Sequence, residues 1–324
     1  MDSNWSNVLN ASLPIYLAIA IGAAARWLGW LTEEADQSLM RLVIRVLVPC
    51  LIFSVVADNA AFRDLAGVAL PPVVGAATVA LGLAVAWLAS RMSRGVLGRD
   101  APPERRTVAF CVAVFNYGFI PLPLIKALFD DRTLGVLFVH NVGCELAIWT
   151  LGVMVLTGSL GKRWWHGVLN PPSLTIVVAL AFNFLGWGHH IPAFAGNTLR
   201  LLGDASVPIA LVLVGAIVAD ELQTRDPNRS RADRVKVIGW ALLLRLGLLP
   251  AAFLLIAWLL PCSIELKRVL VIQSAMPCGT FPIVMARHYG GEPGVALRVV
   301  LSTSLASLLT IPMWLTLGMR LVAG

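Results

Sequence analysis

Apolar residues run through this chain in long blocks, and polar residues gather in the gaps between them. The pattern predicts ten hydrophobic spans, near residues 12–31, 38–58, 67–90, 106–129, 133–157, 168–187, 198–220, 235–260, 267–289 and 293–319. Most reach about 20 residues, which at about 1.5 Å per residue crosses a hydrocarbon core of about 30 Å.

The fourth span departs from this regularity. It contains Phe115-Asn116-Tyr117-Gly118-Phe119-Ile120-Pro121-Leu122-Pro123. Proline lacks a backbone donor and clashes with the preceding turn, so the helix is predicted to break there. Inside a bilayer the freed carbonyls need partners from protein or from a water-filled cavity. Such a break is either an ordinary kink or a binding site, since transporter sites often sit at discontinuous helices.

An internal repeat favours the site. Shifted by 161 positions, Asn116 to Pro121 lies over Pro277-Cys278-Gly279-Thr280-Phe281-Pro282, matching Gly118 to Gly279 and Pro121 to Pro282. Lys126 then meets Arg287 and Asp131 meets Glu292; a shift of 159 sets Val48-Pro49 on Val207-Pro208. Five spans in each half force the second half to insert upside down. The expected fold is an all-α membrane protein of ten transmembrane helices in two inverted five-helix repeats, residues 1–160 and 161–324.

Composition agrees with membrane residence. Of 324 residues, 58% are hydrophobic and 13% charged, with a mean hydropathy of +0.81; soluble domains carry about 25% charged residues. The net charge of +7 sits largely in short connections, notably one with Arg91, Arg94, Arg99, Arg105 and Arg106 and one with Arg225, Arg229, Arg231, Arg234 and Lys236. Lys and Arg prefer the cytoplasmic side. That predicts a multi-pass protein of the cell's inner membrane with both termini on the outer, periplasmic side. The basic stretches lack interleaved aromatics, so no nucleic-acid partner is expected. The opening residues carry Asp2 and no basic residue, which predicts no cleavable signal peptide.

Five cysteines in no metal-binding or paired spacing argue against a disulfide framework and a zinc site. There is no GxSxG, HExxH or phosphate-binding glycine loop, so neither an enzyme nor a cofactor is expected. The polar residues within spans are few and costly to insert. Asn116 lies beside the first break, placed one turn before it. Asn141 and Glu145, four apart, share a helix face. Glu145 is the candidate coupling residue, because a carboxyl in a low-dielectric setting can bind and release a proton as its surroundings change. Gln273, Ser274, Thr280, Ser302 and Thr303 surround the second break. Half-helix N-termini at both breaks favour an anionic group such as a carboxylate. Lys126 is expected to reach for the interface and Asp204 to pair with an arginine. Arg45 and Arg245 need partners that the sequence does not name.

These residues resemble the auxin efflux carrier family of membrane transporters, which includes plant PIN-FORMED carriers and bacterial dicarboxylate permeases. The resemblance rests on Phe115 to Pro123, on Met276-Pro277 through Phe281-Pro282-Ile283-Val284-Met285-Ala286, on Tyr289-Gly290, and on Leu301 to Ser304 with Thr310-Ile311-Pro312. It implies that helices 4 and 9 cross at their broken centres. It implies a scaffold of helices 1, 2, 6 and 7 and a moving domain of helices 3–5 and 8–10. It also implies elevator-type transport of a small organic anion by a homodimer. Asn116, Tyr117, Gly118, Pro121, Asn141, Pro277, Gly279, Thr280 and Pro282 become the expected substrate site. Coupling is open between a proton, through Glu145, and sodium, as in the related bile-acid symporters; a non-transporting receptor is a further alternative. The stretch from Gly158 to Val168 is too short for the long cytoplasmic loop of many plant carriers.

Overall fold

The computed structural model describes residues 2–62, 65–92, 102–157, 170–223 and 231–323. Arg94, Arg99, Arg225, Arg229 and the stretch from Gly158 to Val168 lie outside the described residues. Within them the protein is all-α, and the only extended pairing is a single isolated bridge.

Twelve helices follow the apolar blocks among the described residues. They are α1 (Asp2–Trp27), α2 (Glu33–Val56), α3 (Leu65–Met92), α4 (Pro102–Ala113), α5 (Pro121–Leu128), α6 (Asp131–Thr157), α7 (Pro171–Phe184) and α8 (Ala193–Gln223). Then come α9 (Arg231–Leu243, continued through Leu244–Leu248 and Leu249–Leu259), α10 (Ile264–Ala275), α11 (Phe281–His288) and α12 (Pro293–Ala323). Six described helical stretches, in α2, α3, α6, α8, α9 and α12, are long and apolar enough to cross a membrane. The protein is thus a multi-span membrane protein. The fourth predicted run is split between α4 and α5, and the ninth between α10 and α11.

Proline accounts for two of the π turns, in α9 and α2; a third, at Ile148–Gly152 in α6, has no proline beside it. In α9, Pro250 cannot bond the carbonyl of Leu246 four residues back, and the helix widens to a π turn over Leu244–Leu248. The indole Nε1 of Trp314 donates to that freed carbonyl at 2.7 Å. Pro49 similarly follows a π turn at Val43–Leu47 in α2.

The chain forms two compact units. The first comprises Met1–Pro72, Gly118–Val142 and Val168–Thr224. Here α1 and α8 approach closely: a Cβ on Gly22 would lie 2.0 Å from the Val212 carbonyl oxygen, and one on Gly215 would lie 2.0 Å from that of Ile19. Small residues at such contacts let membrane helices pack by van der Waals attraction. Asn59 donates to Val55 O at 2.9 Å, and Asn183 donates to Val56 O and Asn59 O, holding the end of α2 to α7. Arg26 at the end of α1 pairs with Asp36 and, at 3.0 Å, with Asp220.

Two ionic expectations need correction in this unit. Lys126 does not simply extend to an interface, and Asp204 does not pair with an arginine: they pair with each other at 2.6 Å. Their side chains are 28% and 70% exposed. Arg45 is exposed.

The second unit comprises Val73–Tyr117, Gly143–Gly167 and Arg225–Gly324. It holds both helix ends that precede the breaks.

Candidate functional site: a crossing of two broken chains

The first break opens at Val114, directly after α4 ends at Ala113, and lasts until Pro121 starts α5. Asn116 therefore lies inside the break, not a turn before it. Pro121 and Pro123 stand in the first turn of α5, where a missing N–H is no loss, so proline opens the second half-helix while the chain before it unwinds. The second break, Met276 to Thr280, lies between α10 and α11, and Pro282 likewise stands in the first turn of α11.

The two unwound segments pair with each other. Phe115 and Cys278 form an antiparallel bridge. Asn116 N donates to Pro277 O at 2.8 Å, and Gly279 N donates to Val114 O at 2.9 Å. These bonds satisfy main-chain groups that the breaks release, as a low-dielectric setting demands. Asn116 and Pro277 are the residues that the 161-position shift superposes, so a repeat position bonds its own counterpart. That explains their different identities. Pro277 has no N–H, and the pair needs only one donor, which Asn116 supplies.

Gly279 suits the closeness of the crossing. A Cβ there would meet Phe115 O at 3.1 Å and Phe115 C at 3.4 Å. Gly118, its repeat counterpart, has open space: nothing described lies within 4 Å of a Cβ there.

Surrounding side chains hold the crossing. Gln273 Nε2 donates to Tyr117 O at 3.2 Å, and Cys278 N donates to Thr303 Oγ1 at 3.3 Å. Phe115 makes edge contacts with Tyr117 and Phe253 at centroid distances of 6.3 and 5.8 Å. The partners of Arg245 are now visible. Its Nε donates to Met276 O at 2.7 Å and its Nη2 to Gln273 O at 3.0 Å, while its guanidinium lies 4.8 Å from the Phe115 ring centroid. Sequence reasoning missed this residue as part of the crossing. Its one signal was a charge inside an apolar span.

Among the expected site residues, Asn116, Tyr117, Pro277 and Gly279 are brought together here. Thr280 and Pro282 follow directly in the chain. Glu145, on α6, lies within electrostatic range of the Tyr117 hydroxyl. Gly118, Pro121 and Asn141 belong to the first unit, although Gly118 continues directly from Tyr117 and Asn141 shares α6 with Glu145. Asn116, Pro121, Asn141, Pro277, Gly279 and Pro282 are buried, whereas Tyr117, Gly118, Glu145 and Thr280 are half-buried.

The half-helices α5 and α11 begin without a side-chain cap: neither Ile120 nor Thr280 supplies one. Their prolines remove several first-turn N–H groups, and Leu122 N and Ile283 N are already bonded to Gly118 O and Thr280 O. The positive helix ends persist, but few main-chain donors remain.

Comparison with known proteins bears on what this crossing serves. Residues 7–163 and 156–315 match the family described as membrane transport protein. An uncharacterised transporter of Methanothermobacter thermautotrophicus is 28% identical over 308 residues, covering 93% of this chain and 95% of its own. An uncharacterised transporter of Methanocaldococcus jannaschii is 22% identical, covering 94% and 97%. The auxin efflux carrier component 8 of Arabidopsis thaliana is 20% identical, covering 94% and 95%.

Proposed function

The chain belongs to the family of membrane transport proteins, and from that premise we propose that it is a secondary active transporter of a small organic anion. The class of solute is a mono- or dicarboxylate such as malonate or malate, or an auxin-like acid of the kind named for the plant relatives. The observation that carries this reading is the paired crossing at Asn116–Pro277 and Val114–Gly279, where two helices that the repeat relates are broken at corresponding points. Broken helices that expose positive half-helix ends near midplane are a recurrent way to bind an anion in a secondary transporter.

In this reading the ten spans form two inverted repeats. Asn116, Tyr117, Pro277, Gly279, Thr280 and Pro282 shape the binding site. Glu145 adds a polar group from α6 and exchanges the coupling proton. Spans 1, 2, 6 and 7 act as scaffold and dimer contact, while spans 3–5 and 8–10 move as an elevator. Supporting that division in part, α1, α2, α7 and α8 lie in the first compact unit and α4, α9, α10, α11 and α12 in the second; α5 and the start of α6 lie in the first, and α3 is divided after Pro72. Both termini face outward from the inner membrane.

Counterflow in proteoliposomes tests the substrate class. Vesicles loaded with unlabelled malonate, malate or indole acetate should accumulate the labelled form of the solute that the crossing accepts. If none of these anions exchanges while a neutral solute of similar size does, the anion assignment is wrong.

A further inference from the structure

Arg245 is fully buried, with 0% of the residue exposed, on the π turn of α9. A charge so placed needs strong compensation. No acidic side chain forms an ion pair with it among the described residues. Its compensation instead comes from main-chain oxygens at the C-terminal end of α10. Nε bonds Met276 O at 2.7 Å, and Nη2 bonds Gln273 O at 3.0 Å. The rings of Phe115 and Phe253, at 4.8 and 5.6 Å, offer their faces to the same cation. The remaining nitrogen, Nη1, is buried and meets no acceptor among the described residues.

Helix C-terminal ends carry partial negative charge on unsatisfied carbonyls. In transporters with discontinuous helices, such ends and the unwound carbonyls beside them coordinate a coupling cation. We propose that Arg245 is a tethered cation in the place of a coupling ion: its guanidinium occupies the carbonyl end of α10 and fixes the second break open. The inference rests on the crossing described above but not on the identity of its solute. It makes Arg245 a positioning residue. Gln273, whose carbonyl it holds, bonds Tyr117 O through its side chain, so the guanidinium also orders the first break. A small free cation has no role at these carbonyls while the side chain is present, and acquires one when it is removed.

The test is the thermal stability of purified, solute-free protein in detergent, which requires no transport assay. Wild type should melt at the same temperature in sodium chloride and choline chloride at equal ionic strength. Arg245→Ala should melt several degrees lower in choline chloride, and millimolar methylguanidinium or sodium should restore part of the loss in that variant alone. Arg245→Lys keeps the charge with fewer bonds and should fall between the two. Sodium-specific stabilisation of wild type would overturn the proposal, as would an alanine variant that melts like wild type or that no cation restores. If Arg245→Ala does not fold, the lysine variant decides in its place: it should melt below wild type, and stability equal to wild type would count against the tethered cation. Failure of anion counterflow with a positive result here would discard the solute assignment and leave Arg245 in place.

Discussion

Asn116 contributes two separable groups to the crossing. Its main-chain N–H bonds Pro277 O at 2.8 Å, and its carboxamide is the group assigned to the solute. Asn116→Ala keeps the first and removes the second, so it should fold normally and bind the solute roughly tenfold more weakly, the cost of about 1.4 kcal/mol. Asn116→Pro removes the N–H as well and should lower the melting temperature, because a buried Pro277 carbonyl loses its donor. Equal effects of the two variants in binding and melting would contradict this division. The glycines separate in the same way. Gly279→Ala must push against Phe115 O and should destabilise by about 1–3 kcal/mol. Gly118→Ala has room and should leave stability unchanged; denaturation of both variants checks the contrast. Glu145→Gln should flatten the pH dependence of transport, and full retention of that dependence would remove the carboxyl from coupling. Asn116 and Gly279 were legible in the sequence because broken-helix chemistry marks both. Arg245 was visible only as a misplaced charge. Its partners are main-chain carbonyls 28 and 31 residues onward, released by a break whose extent no residue type specifies.

Among the elements, long apolar runs located the helices, and proline located the two breaks. It did not give the details of either break. Sequence placed the interruption at Pro121, but the chain unwinds from Val114, because the pairing with Met276 to Thr280 supplies main-chain partners that a continuous helix would otherwise provide. Tertiary pairing of this kind leaves no local signature. The same limit explains Lys126, read as an interfacial side chain until α8 brought Asp204 to 2.6 Å. That pair is largely exposed on its acidic side, so a double-mutant cycle with Lys126→Ala and Asp204→Ala should give a coupling of about 0.2–1 kcal/mol. By contrast, Gly22→Leu should disrupt α1 against α8 severely, since even a Cβ lies 2.0 Å from Val212 O; loss of monodisperse protein on size-exclusion chromatography checks it.

For the whole molecule, the family match over residues 7–163 and 156–315 establishes a membrane transport protein, and the crossing is the site proposed for it. The long apolar blocks made the membrane fold readable from composition alone. Solute identity was not readable, since prolines and glycines break a helix without naming what binds there, and few side chains near the breaks carry charge. A crossing that serves as the proposed site must bind a small organic anion and carry it across the bilayer. Gradient-driven uptake of labelled malonate, malate or indole acetate into proteoliposomes, compared between wild type and Asn116→Ala, tests it most directly. Wild type should show gradient-sensitive uptake of at least one of these anions, with a strong reduction in the variant. Uptake that Asn116→Ala leaves untouched, or the absence of organic-anion uptake under any imposed proton or sodium gradient, would contradict it.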